Sequence, residues 1–428
     1  MATVAEALMQ IKARLNEILP ELEVLQTCRE LGHVWRERVL NPAVTVQLFL
    51  LQLLAKVAMS GLRHVAKVKV SKQAIGKAKK RLPLKVLMEL VQRSVPEGPP
   101  QSLWKGLMVY LADGMSFLTS DTRELRKRYG KAKNHRGTSF GFPMPKLLAL
   151  MDLSRGFIYK GIILPWARQE FTCLSRLFKA IGRNALLLGD RGLVSFTHLV
   201  MLTQAGIQGC FRLPRWQVTF NRGRASRRLI KRLGKQDLLV RWTACRRPTW
   251  LSRKRWAAIA GQELVLRQIS FRVCREGFRT HWAWIITTLL DPQQYPARDL
   301  VELYSKRWQI EVCFRNLKRT LGMAKVSARS VPGIRKEVLA FILLYNLIQR
   351  VVQQAAIQQQ VDTDRISFID ALRWLLWSSP GESIAKLIVN PRRVRRSPPR
   401  KLKNARHRFP QLNGSRAALS KPPCQVKL

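Results

Sequence analysis

The sequence predicts a mixed α/β core, interrupted by a basic β-rich insertion and flanked by helical regions. Three observations carry this. Apolar residues recur at helical spacing at both ends of the chain. Short β-rich runs punctuated by Gly and Asp fill the middle. A Trp- and Arg-rich stretch with strand-like pieces separates the second of those acids from the next helical segment.

The N-terminal 100 residues read as helices. Val4, Leu8, Ile11, Leu15, Ile18 and Leu19 keep a spacing of three and four. Val44 to Leu62 is apolar but carries Gln47, Gln52 and Lys56, which suits a buried helix. Ser71 has the chemistry of an N-cap for a short helix bearing Lys72, Lys77, Lys79, Lys80 and Arg81. That basic face suits DNA, and equally an ordinary solvated surface. Residues 97–102, EGPPQS, mark a linker.

The pattern changes near residue 105. GLMVYLADGMSFL reads as a strand ending in Asp113-Gly114. KLLALMDLS and GFIYKGIIL read as two strands around a turn at Ser154-Arg155-Gly156. A helical stretch spans Gln169 to Ile181, and NALLLGDRG is a short buried strand ending in Asp190. A helix over 195–205 and a strand over 207–213 follow. From Arg215 to Arg255 there are fourteen Lys/Arg and one acid, Asp237, interleaved with Trp216, Trp242 and Trp250. Two readings stand for these aromatics: contact with unstacked bases, or the small core of the insertion. Helical periodicity returns over 298–322, over 333–359 and near 365–388. Residues 391–428 hold twelve Lys/Arg and no acid, a composition that cannot bury enough apolar surface to fold.

The domain reading is therefore 1–100 helical and DNA-binding, 101–213 core, 214–290 insertion, 291–330 core, 331–390 helical and 391–428 basic tail. The 428 residues include 77 Lys/Arg against 26 Asp/Glu, a formal net charge of +51. A compact chain so charged repels itself unless a polyanion screens it. That disfavours an enzyme of neutral small molecules and points to nucleic acid. No apolar h-region opens the chain and no stretch reads as a membrane span. The seven Cys are scattered, without zinc spacing. A cytoplasmic protein with no membrane partner is expected.

Acids are scarce, so their positions are informative. Asp113 and Asp190 sit at predicted strand ends, and Glu311 sits on the helix after the insertion. Hard carboxylate oxygens suit Mg²⁺, and a pair of such ions can drive phosphodiester chemistry. For any single acid, a salt bridge to one of the many Arg is the competing reading. At about 100° per residue, an unbroken helix puts Tyr304, Arg307, Glu311, Arg315 and Lys318 within about 80° on one face. An i,i+4 pair of Glu311 with Arg315 is the bland interpretation of that face.

The spacing Tyr304-x₂-Arg307-x₃-Glu311-x₆-Lys318 resembles the Y-R-E-K signature of the insertion-sequence-four family of bacterial DDE transposases. YLADGMSF resembles the family's first Asp context and LLLGDRG its second. The resemblance spans roughly residues 65–350. Met115-Ser116 departs from the small polar residue common after the first Asp-Gly.

The resemblance implies an RNase H-like core with Asp113, Asp190 and Glu311 as catalytic residues and ligands of two Mg²⁺ ions, Mn²⁺ substituting. Tyr304, Arg307 and Lys318 are implied as DNA phosphate contacts, and Trp284 as the contact for a flipped base or hairpin. Cut-and-paste transposition is implied: strand cleavage at terminal inverted repeats, a hairpin intermediate, then transfer to target DNA. The implied partners are double-stranded DNA and a second copy of the chain in a synaptic complex at the nucleoid. A catalytically inactive DNA-binding relic and a general metal-dependent nuclease are the alternatives.

Overall fold

Helix ends in the chain follow local chemistry closely. The computed structural model describes residues 15–62, 70–98, 103–133, 137–218, 227–243, 246–274, 280–379, 382–384 and 387. The expected basic tail over 391–428 and the amphipathic start before residue 15 lie outside them. The described residues divide into two compact units, one within 15–185 and 307–387 and one within 186–306.

The first unit opens with α1 (Glu21–Glu30) and α2 (Pro42–Ala55). Asn41 caps α2 by accepting from the Val44 amide at 2.9 Å, and Lys56 ends it in the left-handed region at φ 51°. Ser71 caps α3 (Lys72–Arg81), accepting from the Ala74 amide at 3.2 Å. α4 (Leu84–Arg93) starts directly after Pro83. Leu48, Leu62 and Ile75 form a small core between α2 and α3.

β1 (Met108–Ser116), α5 (Arg123–Tyr129), β2 (Lys131–Lys133), β3 (Ser139–Pro143), β4 (Lys146–Asp152) and β5 (Ile158–Leu164) follow. Within this unit β4 lies between β1 and β5, antiparallel to both. Gly156, at φ 78°, makes the β4–β5 turn. The helical spacing over 169–181 becomes two 3₁₀ segments, Glu170–Arg176 and Phe178–Ala180.

The second unit contains β6 (Ala185–Gly189), α6 (Phe196–Gln204), β7 (Ile207–Arg212), β8 (Arg227–Gly234), β9 (Asp237–Thr243) and α7 (Arg253–Ala257). β10 (Glu263–Val273), β11 (His281–Thr287) and α8 (Ala297–Ser305) complete it. Its strands run in the order β6-β7-β11-β10-β9-β8. Trp242 is buried beneath Arg227, whose guanidinium sits 4.9 Å from the ring. Trp250 stacks on His198 at 4.9 Å. These two Trp therefore serve the unit's core.

The chain returns to the first unit with α9 (Trp308–Arg315), a π turn over Asn316–Thr320, α10 (Val331–Gln358) and α11 (Phe368–Trp377). α10 is long and apolar enough to cross a membrane by composition, but 78% of its most apolar window is buried inside the protein, as in a core helix. Its polar residues stitch the unit together. Lys336 donates to the Lys79 and Lys80 carbonyls at the end of α3, at 2.9 and 2.7 Å. Arg350 donates to the Arg93 and Ser94 carbonyls at the end of α4. Cations on α10 thus meet the negative ends of both helix dipoles. Asn346 pairs with both backbone groups of Ile158 on β5 at 3.0 Å.

Candidate active site

Asp113 lies within β1, opposite Ala149, because pairing with β4 continues to Ser116 opposite Lys146. Asp113 therefore does not end its strand as its Asp-Gly context predicts, because the pairing runs three residues further. Its Oδ1 accepts from the Gly114 amide at 2.8 Å, which fixes the carboxylate against its own strand. Gly114 faces the opposite side of the sheet. A Cβ there would lie 2.6 Å from Glu170 Cγ. Glu170 is held in place by Lys146 at 3.3 Å. The Asp-Gly dipeptide is thus explained on both faces: an acid on one, and on the other a position where the Glu170–Lys146 pair leaves no room for a side chain.

Glu311 is four residues beyond Arg307 and on α9. Arg307 reaches both acids: Nη1 lies 3.4 Å from Asp113 Oδ2, and Nη2 donates to Glu311 Oε1 at 2.7 Å. One guanidinium therefore bridges two carboxylates 198 positions apart in the chain. The partner of Glu311 is Arg307, not the Arg315 expected of a solvated face.

The continuous helix expected over 298–322 is broken. α8 ends at Ser305, α9 starts at Trp308, and the five residues after Arg315 form a π turn. A wheel of about 100° per residue therefore fails at both joints. Arg307 and Glu311 keep their i,i+4 relation. Lys318 lies in the π turn, half-buried, and burial holds its ammonium below the usual lysine range.

In the second unit, Asp190 follows immediately on β6. Gly189 packs under Phe211, with a ring atom 2.5 Å from where a Cβ would be. The Tyr304 hydroxyl on α8 donates to the Gly189 carbonyl at 3.2 Å. Tyr304 thus braces the backbone that presents Asp190. Trp284 is half-buried on β11, opposite Ser270. Trp282, two residues before it on the same strand face, is 45% exposed, with Arg272 5.9 Å from its ring.

Two features escaped the sequence: Glu170 behind Gly114, and the arginine shared by Asp113 and Glu311. The Y-R-E-K spacing places an Arg one turn before the Glu but says nothing of Asp113. Among the described residues no three His, Cys, Asp or Glu side chains are grouped to hold a metal ion. The Asp113 and Glu311 carboxylates nevertheless suit a hard divalent cation. Both are oxygen donors, and both already share one cationic group.

The family model described as Transposase DDE domain matches residues 104–347. The chain is 25% identical over 363 residues, 80% of its length, to "Transposase InsG for insertion sequence element IS4" of Escherichia coli (strain K12), of which it covers 78%. It is 30% identical over 114 residues to "Putative transposase InsZ" of the same organism, covering 27% of this chain and 38% of that one. Among solved structures, the piggyBac transposase synaptic complex with hairpin DNA aligns with a TM-score of 0.44 and 9% identity, over 91% of this chain and 86% of that one.

Proposed function

Because this chain belongs to the DDE transposases, of insertion-sequence-four type, we propose that it moves an insertion sequence by cut-and-paste transposition with Asp113, Asp190 and Glu311 as catalytic carboxylates. The observation that carries this reading is the Arg307 bridge between Asp113 and Glu311. In a chain with about three times as many bases as acids, two partly exposed carboxylates on one guanidinium need a reason beyond folding.

The proposed reaction starts with water cleaving one strand at the element's end. The freed 3′-hydroxyl attacks the opposite strand, releasing flanking DNA and closing a hairpin on an RNase H-like core. Hydrolysis reopens the hairpin, and the 3′-hydroxyl then attacks target DNA. Each step exchanges one phosphoester for another or for water, so no oxidant or covalent enzyme intermediate is needed. Asp113, Asp190 and Glu311 would hold Mg²⁺, with Mn²⁺ substituting. When bound, such ions ease deprotonation of the attacking hydroxyl and offset charge on the leaving oxygen.

The remaining roles fall to the chain itself. Arg307 orients Asp113 and Glu311 and offers its guanidinium to a neighbouring phosphate. Tyr304 holds the Asp190 backbone. Lys318 supplies a second phosphate contact, and Trp284 a face for an extruded base. Residues 101–213 and 291–330 carry the chemistry, 214–290 the insertion, and 1–100 and 331–390 the helical flanks. Two copies acting on paired ends form the working complex, at the nucleoid in the cytoplasm. The inactive-relic alternative is less well supported, because all three acids and the four signature residues are intact.

The test is cleavage of a labelled duplex carrying the element's own end, with Mg²⁺ or EDTA, beside Glu311→Gln. Metal-dependent nicking at the end, followed by a hairpin and lost in the variant, is expected. Tight binding without cleavage in either Mg²⁺ or Mn²⁺ overturns the active-enzyme reading.

A further inference from the structure

Residues 323–330, after the π turn, are held by hydrogen bonds rather than by a core. Only Met323 and Val326 are buried; Ala324, Lys325, Ser327 and Arg329 are exposed. Two amides reach back to the π turn and its approach, Met323 to the Leu317 carbonyl at 2.9 Å and Ala324 to the Lys318 carbonyl at 3.3 Å. The middle of the segment pairs with the chain leaving β1. The Leu118 amide donates to the Ala324 carbonyl at 2.9 Å, and the Val326 amide to the Leu118 carbonyl at 2.8 Å. The Ser120 hydroxyl donates to the Ser327 carbonyl at 3.1 Å, and the Thr122 hydroxyl to the Arg329 carbonyl at 3.2 Å. The segment is thus a clasp. It joins the exit of β1, which carries Asp113, to the exit of α9, which carries Glu311.

One acid anchors the clasp. Glu337 on α10, 7% exposed, spreads its carboxylate across two successive amides. Oε1 accepts from the Ser327 amide and Oε2 from the Ala328 amide, each at 2.8 Å. The Ser327 hydroxyl lies 3.0 and 3.1 Å from the two oxygens. One turn earlier on α10, Gly333 lets the helix sit close on the segment, since a Cβ there would lie 3.0 Å from Ala328 Cβ. The chain holds 77 Lys/Arg against 26 Asp/Glu, yet this carboxylate is given to loop amides and a hydroxyl. Its charge is also felt by the buried Lys79 ammonium, which burial pushes down to about 8 while Glu337 opposes the shift.

Hydrogen bonds from amides to a carboxylate are charge-assisted, so they make a stiff anchor. Stiffness matters at a reacting centre, where a misplacement of about 1 Å can cost on the order of 100-fold. Asp113 and Glu311 already converge on the Arg307 guanidinium. We propose that Glu337 is a positioning residue for metal binding: by fixing the clasp, it sets β1 against α9 so that the Asp113 and Glu311 carboxylates converge on one divalent cation. The inference rests on the transposase reading and deepens it, naming a residue that touches neither metal nor DNA.

The experiment uses the full chain bound to a duplex carrying the element's end, with Mn²⁺ as the probe. Free Mn²⁺ is read by electron paramagnetic resonance, and uptake by the duplex alone is subtracted. Glu337→Gln keeps the size but turns an NH₂ group toward an amide that needs an acceptor. It should raise the Mn²⁺ concentration for half-saturation roughly tenfold, the lower end of what the loss of an outer partner costs a metal site. The Mg²⁺ concentration for half-maximal cleavage should rise by the same factor, while affinity for the duplex in EDTA is unchanged. A merely structural role lowers the folded fraction, which removes Mn²⁺ sites but leaves the half-saturation point where it was. Ser327→Ala, at an exposed position, takes the hydroxyl from both carboxylate oxygens without altering the charge near Lys79. It should shift both midpoints the same way by about threefold.

Unshifted midpoints in Glu337→Gln overturn the proposal, as does a loss of sites at a constant midpoint. A shift in Glu337→Gln with none in Ser327→Ala traces the effect to the Lys79 charge and overturns it too. Should Glu337→Gln melt too early to be read, Ser327→Ala decides: a shift supports the proposal and no shift overturns it. Wild-type protein that takes up no Mn²⁺ and cleaves nothing instead overturns the transposase reading, and this proposal with it.

Discussion

Two arginine–carboxylate clusters in the first unit have opposite designs. In the β4–β5 turn, Asp152 and Arg155 are 0% and 5% exposed. Asp152 accepts from the Ser154 and Arg155 amides, the Ser154 hydroxyl and Arg155 Nε. Arg155 also donates to the Pro96 and Gly98 carbonyls and to the Tyr159 hydroxyl. This cluster is dry and saturated, and ties the segment after α4 to the sheet. In the other cluster, one arginine spans Asp113 and Glu311, which stay 26% and 33% exposed. A buried ion pair is tolerated when every polar atom is satisfied. Carboxylates left in reach of solvent can exchange partners, as chemistry on a phosphate requires.

The two clusters should differ most in what their acids do. Asp113→Asn and Glu311→Gln should each reduce end cleavage by about 1,000-fold or more, in line with the loss of a catalytic electrostatic group. Neither should lower the midpoint of urea unfolding appreciably. If either variant unfolds early while retaining cleavage, the acid is structural and the contrast with Asp152 collapses.

The converse change is Asp152→Asn, which strands Arg155 as an unpaired buried cation. It should cost about 3–5 kcal/mol of unfolding free energy, read from denaturant midpoints. The fraction that remains folded should cleave normally.

A third buried group, in the second unit, is kept neutral instead of ion-paired. His198 in the second unit is pushed down to about 4 by burial, against a small opposing effect of the Leu193 backbone. With its folded value depressed, the unfolded chain binds the extra proton. Stability from this group is therefore present above the ordinary histidine value near 6.5 and is lost as pH falls toward 4. His198→Phe preserves the stack on Trp250. It should flatten the pH dependence of unfolding over that window relative to wild type; parallel curves would show that His198 does not couple to folding.

The smallest effect concerns the glycine behind Asp113. Gly114→Ala should destabilise by about 1–2 kcal/mol by displacing Glu170. Glu170→Ala in the same chain should recover part of that loss. Additive losses would mean that Glu170 is not what excludes a side chain there.

Much of the architecture was legible from local chemistry. Ser71 caps its helix as its residue type predicts, accepting the Ala74 amide; Asn41, Ser195 and Ser330, which the sequence reading did not single out, cap theirs in the same way within three residues. The β4–β5 turn and the strand before Asp190 were equally readable, since alternation and turn residues are short-range signals. The extent of β1 was not, because it depends on β4 pairing past Gly114. Nor was the break between α8 and α9: nothing in LYSKRWQIEV forbids an unbroken helix, and the period of the apolar stripe hides a local change of winding.

The sequence by itself determined the family, through four residue types at set offsets and two acid contexts, and it determined the charge that demands a polyanion. Those are properties of order and composition, which survive without coordinates. The tertiary structure alone decided which arginine serves which acids. It placed Arg307 between Asp113 and Glu311, nearly two hundred positions apart, and set Glu170 behind Gly114. Contacts of that range are settled by how β1, α9 and the 3₁₀ segment at Glu170 pack, and no spacing rule along the chain encodes them.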